Sequence, residues 1–352
     1  KHRSIADEKG ALMRKLMVLI LLLTAVWSGY WFVGSNAIRH GAENFFANAA
    51  AQGLVAEKTA LTVQGFPNRF DLQVDGMRLV DPDTGSAWEA PFVQVFAMTW
   101  KPWHIIAALP PDQQISLPDQ DISLASQGLR ASVRAQPATD LPLAAVIVES
   151  DSLSATSTLG WTVGAARTVV SISADEEVAN AGDAPNAYVL ALDVADLTPD
   201  PKVIEKIVTD AGLPPTVAVI KVLATATLTA PLDRFAGDTN PRLAALDLTD
   251  SLIIWGDLSV AAKGVITPDD QGYASGRIEI SVTNYQRLVP ALVAAGAIKP
   301  ELAQTVGNML AAMAQQSGDP NLLQLPLTLQ DGRVSLGPLP LGDAPLMLPP
   351  SG

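Results

Sequence analysis

Cysteine is absent from the 352 residues, and histidine occurs three times. The first absence excludes disulfides, thiolate metal sites and cysteine nucleophiles. The second leaves His2, His40 and His104 without zinc-ligand spacing, so no metal site is expected. Aromatic residues make up 5% of the chain and charged residues 17%. Basic residues are the scarcer charge, 23 against 36 acidic, for a formal net charge of −13. That balance argues against nucleic acid, which is bound by cations that displace phosphate counterions. It argues equally against broad adhesion to anionic headgroups. A Walker loop and a dinucleotide fingerprint are both missing, and Gly272-Tyr273-Ala274-Ser275-Gly276 lacks the central serine of a nucleophile elbow. With no catalytic set and no cofactor to nominate, the expectation is a protein that is not an enzyme.

What is present begins with an uncharged run. Leu16–Ile38 is long enough to cross the roughly 30 Å hydrocarbon core as a helix. Leu16, Leu21 and Leu22 lie in its most apolar half, and Trp27, Tyr30, Trp31 and Phe32 cluster toward its far end, where amphipathic rings favour the interface. Lys9, Arg14 and Lys15 precede it, so the amino terminus is expected in the cytoplasm and the body across the membrane. The rival readings are a signal peptide cleaved near Ser35-Asn36-Ala37 and a buried core helix. The run is long and aromatic for a signal peptide, which favours an uncleaved anchor. Ser28, Gly29, Gly34 and Ser35 are small enough to let a partner helix approach closely.

Beyond the anchor, His40–Ala56 reads as a helix, with Phe45, Phe46, Ala49, Ala50 and Leu54 at helical spacing. Strand patterns then take over. Phe70, Leu72 and Val74 alternate with Asp71, Gln73 and Asp75, and Asp75-Gly76 is expected to turn. Ala87–Trp100 is apolar on both faces apart from Glu89 and Gln94, so it should be covered on both sides or face something apolar. Segments at 122–125, 128–135, 144–149, 153–158, 162–173 and 188–194 suggest an antiparallel meander, with Ala181–Pro185 as a turn. Pro201–Ala211 reads as a helix, Thr216–Ala230 and Leu252–Ile266 as strands, and Gly276–Val282 as a returning strand. Asn284 is placed to cap a helix over Tyr285–Gly296, despite Pro290, and Pro300–Gln316 forms the second of a helix pair. Asp331-Gly332 between two apolar runs is a strong hairpin signal.

Four motifs are candidate sites. Asp81-x-Asp83-x-Gly85 and Asp269-Asp270 read as turns rather than calcium ligands, because Asp, Pro and Gly each favour turns. Gly65-Phe66-Pro67-Asn68-Arg69 is explained by backbone demands, with Phe66 plugging the sheet end and Arg69 pairing with an acidic neighbour. Trp100 and Trp103, around Pro102, either cap the core or meet a membrane interface or partner.

Gly65-Phe66-Pro67-Asn68-Arg69-Phe70, the Trp255-Gly256 hairpin, the Asn284-led helices and the terminal Leu327–Gly337 hairpin follow the anchor in a fixed order. In that order the chain resembles the alphaproteobacterial envelope proteins grouped as domain of unknown function 2125. More distantly it is similar to AsmA and TamB proteins, and that resemblance implies an anchored β-body with an apolar groove used in lipid handling.

The expected fold is mainly β with a few helices: a transmembrane helix, then a long antiparallel, curved or taco-like sheet, with a C-terminal helix pair. The boundaries are a cytoplasmic stub at 1–15, an anchor at 16–38, a juxtamembrane helix at 39–58, a strand-rich periplasmic region at 59–240, a ββαα-hairpin region on the same sheet at 241–340, and a Pro-rich tail at 341–352. The expected function is non-enzymatic, at the bacterial inner membrane: a single-pass periplasmic protein that binds lipid or another apolar ligand in a β-groove. The alternative is an accessory or assembly subunit of an inner-membrane complex.

Overall fold

The computed structural model describes residues 2–49, 51, 53–175, 186–316, 319, 321–337 and 339–348. Ala181–Pro185 lies outside the described residues. The first element is one unbroken helix, α1 (His2–Ala49), about 72 Å long at 1.5 Å per residue. Nothing in its sequence interrupts it, since proline is absent from it. The anchor and the juxtamembrane segment are therefore one element, and its helix stops before Ala56. Gly53 takes a left-handed φ of +79°, the Leu54 amide closes on the Ala49 carbonyl, and β-branched Val55 opens a strand.

All strands join one open antiparallel sheet. β1 (Val55–Glu57) and β2 (Ala60–Gln64) pair in a common register with β3 (Arg69–Asp81), which pairs with β4 (Ser86–Met98). Gly76 does not turn the chain as expected. It sits inside β3 with φ +59°, where a Cβ would collide with Thr59 at the break between β1 and β2. Four long strands follow, each interrupted midway: β5 (Lys101–Ala108) with β6 (Asp112–Leu117), β7 (Gln120–Gln127) with β8 (Arg130–Ala135), β9 (Leu143–Ser150) with β10 (Ser152–Ser157), and β11 (Thr162–Ala165) with β12 (Arg167–Ala174). The interruptions line up as a crease. Proline lacks the N–H a ladder needs, and Pro110-Pro111 breaks the first of the four. Buried Ser126, Ser150 and Gln113 satisfy themselves there on the carbonyls of Pro110, Pro111, Gln127 and Ser152.

The meander continues through β13 (Ala187–Leu197), β14 (Val217–Leu228), β15 (Leu243–Trp255), β16 (Leu258–Pro268), β17 (Ala274–Thr283), β18 (Leu322–Gln330), β19 (Arg333–Leu336) and β20 (Leu339–Asp343). The run Leu252–Ile266 is two strands, not one. Gly256, with φ +61°, turns it beside Pro214. Asp331-Gly332 turns β18 into β19 with φ +51° and +69°, as its sequence predicts.

Three helices pack on one face at the far end of the sheet. α2 (Pro201–Ala211) follows Asp200, whose carboxylate accepts the Lys202 amide, and ends at left-handed Gly212. α3 (Leu288–Ala294) follows a short 3₁₀ turn, and α4 (Ala303–Gln316) follows another. Asn284 holds the expected cap position, ahead of the 3₁₀ turn, but makes no side-chain cap bond: it adopts φ +55°, and its side-chain amide donates to the Asp257 carbonyl instead. Ile204, Ile207, Leu213, Leu310, Val282, Leu323 and Leu325 close the core there. The tail adds a short edge strand, and its Pro345 carbonyl accepts the Ala274 amide.

Candidate functional site

The first candidate is the junction between α1 and the sheet. Gly65 takes φ +99°, where a side chain would press 2.8 Å from the Arg69 carbonyl, so only glycine fits. Its carbonyl accepts the amides of Asn68 and Arg69, and the Phe66–Pro67 bond is cis. This turn points three carbonyls, its own two and one from the β4–β5 turn, at the helix. Trp27 Nε1 donates to Pro67 O at 3.0 Å, Trp31 Nε1 to Arg69 O at 2.7 Å, and the Tyr30 hydroxyl to Thr99 O at 2.8 Å. Thr99 in turn donates both its amide and hydroxyl to Asn68 O.

The rings interlock around these bonds. Trp31 stacks on Phe70 at 6.3 Å and meets Phe66 edge-on at 5.4 Å, while Phe32 lies 5.9 Å from Phe66. Trp31 is only 7% exposed. Gly34 lets Phe70 approach, since a Cβ there would sit 2.6 Å from the ring. That glycine, expected to admit a partner helix, thus serves the protein's own sheet; a Cβ at Gly29 would meet no other part of the described protein within 4 Å. Each hydrogen bond contributes about 1 kcal/mol net and each ring pair about 0.5–1.5 kcal/mol. The body is therefore fixed to the helix, not merely tethered.

Four of the five motif residues, Gly65, Phe66, Pro67 and Arg69, are thereby brought together with Trp27, Tyr30, Trp31 and Phe32. Phe66 packs on the helix rather than plugging the sheet end as expected, and stays 53% exposed. Arg69 pairs with Asp71 at 2.6 Å. Trp100 stands on the β4–β5 turn beside Thr99 and is 56% exposed, whereas Trp103 is half-buried in β5. Leu16, Leu21 and Leu22 project past the body, exposed. Asp331 and Gly332 turn their hairpin, and the Gly332 carbonyl accepts the Ala344 amide of the tail.

The second candidate is a sheet face, visible only through the registers. Residues opposite one another in a ladder share a face. Starting from Phe70, Leu72 and Val74, the partners are Ala97, Val95 and Val93 on β4, then Ile105 and Ala107 on β5, then Val133 and Ala131 on β8. The same face continues through Val146 and Val148, Ile172 and Val170, Leu190 and Leu192, and Ala224 and Val222. It runs on past Leu248 and Ile278 to Leu327 and Leu336. No charged side chain interrupts this band. Trp31 covers its start, and α2–α4 cover its end. Between them the strands from β5 to β14 leave it open: Ile105, Val133 and Val170 are 41%, 41% and 46% exposed. A shallow hollow of about 290 Å³ lies on it, lined by Val146, Val148, Val170, Ile172, Leu190 and Val222.

The reverse face is mixed. Arg130–Glu149 at 2.6 Å and Lys221–Asp193 at 3.7 Å lie among Ile106, Ile147 and Leu223. Past the crease the pattern changes sides. On the continuous run of β9 and β10, Val146 and Val148 give way to Ser150, Ser152 and Ser154, while Leu153 and Ala155 belong to the other face.

The turn readings also stand. Asp81 accepts the Asp83 and Thr84 amides and the Thr84 hydroxyl, and the hydroxyl bond foremost holds its carboxyl below the ordinary aspartate range. Asp269 likewise accepts the Gln271 and Tyr273 amides. Among the described residues no group of three or more His, Asp or Glu side chains is arranged to hold a metal.

Fold and junction together define a class: an open antiparallel meander fixed to a helix that is long and apolar enough to cross a membrane. The chain belongs to the family described as "Uncharacterized protein conserved in bacteria (DUF2125)", whose model matches residues 31–345. No curated protein and no solved structure matches it.

Proposed function

We propose that this is a non-enzymatic, single-pass protein of the bacterial inner membrane whose periplasmic sheet binds lipid or another apolar ligand. The observation that carries the reading is the uncharged band from β5 to β14, left open between helices that cover both its ends. Burying acyl chain there is worth about 0.8 kcal/mol per CH₂. The distant likeness to AsmA and TamB proteins supports the same use, in envelope homeostasis. The basic leader supports a cytoplasmic amino terminus. The aromatic collar that Tyr30, Trp31 and Phe32 form around Phe66 and Phe70 supports an uncleaved anchor, because cleavage after Ala37 would remove every ring that covers Phe70 and Phe66.

Native mass spectrometry of the full chain in mild detergent, with lipid extraction, tests the reading. Lipid should accompany the wild-type protein and fall several-fold in the Val148→Asp/Val170→Asp variant. Wild-type protein that carries no lipid would overturn it. A second reading, an accessory subunit of a membrane complex, is favoured by the open surface around Gly29 on the exposed helix. A stoichiometric membrane partner on crosslinking, lost in Gly29→Leu, would support that reading instead.

A further inference from the structure

Helix α1 carries a depth scale. Leu16–Val33, its most apolar stretch, is 18 residues, about 27 Å of helix, close to one hydrocarbon thickness. The outer boundary of the hydrocarbon then falls near Val33. The body hooks onto the helix below that level. Trp27, which holds Pro67, lies about 9 Å before Val33 along the axis, and Tyr30, which holds Thr99, about 4–5 Å before it.

Two features of the hooked segment suit such a depth. Backbone carbonyls out of water must find donors within the protein, and those of Pro67, Arg69 and Thr99 each accept an indole or phenol hydrogen. The large apolar side chains left uncovered there are Phe66, Met98 and Trp100, 53%, 42% and 56% exposed; Asn68 is the exposed uncharged polar residue among them. The nearest basic groups, Arg69 and Lys101, have stems long enough to reach headgroups, and Arg69 is already neutralised by Asp71.

We propose that the tip formed by Gly65–Phe70 and the Met98–Trp100 turn is embedded in the periplasmic interface of the membrane that α1 crosses, with Phe66 and Trp100 inserted among lipid. This rests on the reading of α1 as membrane-spanning. The apolar band, whose first residue Phe70 belongs to this tip and is paired with Ala97 beside it, would then begin at the lipid surface.

The cysteine-free chain makes the test clean. Single cysteines at Phe66, Trp100, Val18 and Glu149 are spin-labelled in the full chain, reconstituted in vesicles of purified phosphatidylethanolamine and phosphatidylglycerol. Power saturation then compares collisions with oxygen and with a water-soluble nickel chelate. Labels at 66 and 100 should show an oxygen-to-nickel ratio several-fold above that at 149 and below that at 18. Labels at 66 and 100 as wet as 149, with 18 buried, overturn the proposal alone. A wet label at 18 overturns the spanning reading, and the proposal with it. Circular dichroism checks each labelled chain, and Met98→Cys replaces Trp100→Cys if that variant fails to fold.

Discussion

Val282 and Val170 lie on the same face of the same sheet, five strands apart. The first is 1% exposed under α2–α4; the second is 46% exposed with nothing over it. Their own strands read alike, as β-branched runs of alternating character. The difference lies in what the loops carry. Where β13–β14 and β17–β18 are joined through helices, the face becomes a core. Where β8 and β9 are joined by a loop that carries no helix, it stays a surface. A strand's composition therefore reports its fitness for burial, and the cover decides whether burial happens.

The comparison can be broken most sharply by truncation on either side of it. Leu323→Ala, under the helices, should cost about 2–5 kcal/mol, because a fully enclosed site cannot collapse onto the cavity. Val170→Ala, on the open band, should stay within about 0.5 kcal/mol. Urea unfolding followed by circular dichroism measures both, and equal losses would mean that the open band is covered in the monomer. Next in size is Gly34→Val. Its side chain meets Phe70, so the collar must shift, at about 1–3 kcal/mol. Limited proteolysis in the loop at 65–69 should quicken, while the helix-covered core stays resistant. Trp31→Phe keeps the ring but leaves the Arg69 carbonyl without its donor, for about 1–3 kcal/mol at that junction. Its tryptophan emission and proteolysis should change without any shift in the far core.

The smallest effect is at Asp81. Its folded carboxyl is held below the ordinary value, so its contribution is present at neutral pH and is lost as pH falls through that lowered pKa. The carboxylate lies in a solvent-facing turn, so Thr84→Ala should flatten the acid limb of the urea midpoint only slightly. A large change would mean that this turn couples to the core.

Much of the fold is legible locally. Alternation in Phe70–Val74, the Asp331-Gly332 turn and the Pro201–Ala211 helix each follow from a few neighbouring residues and their backbone preferences. The collar does not, because it joins residues 27–32 to 65–70 and 99, and nothing local records which carbonyl an indole will reach. Sequence reading found the aromatics and the Gly-Phe-Pro motif as two separate features, and missed Thr99 altogether. It gave Gly76 to a turn because a glycine after aspartate commonly makes one; here the demand came from Thr59 across the ladder. The open band was hidden for a similar reason. Ala87–Trp100 betrayed apolar surfaces on one strand, but continuity from strand to strand depends on registers that small bulges, such as that in β15, adjust.

The unbroken meander has a consequence for how such a molecule can change over time. Taken across the crease as one, every long strand pairs with the long strand before and after it in the chain, so no crossover fixes the number of strands. A hairpin can be added to or removed from the middle without rewiring anything, and parity keeps the band on the same side. The two ends are constrained, one by its grip on the helix and the other by its helical lid. The width between them is an adjustable dimension, set by how long an apolar surface the task requires.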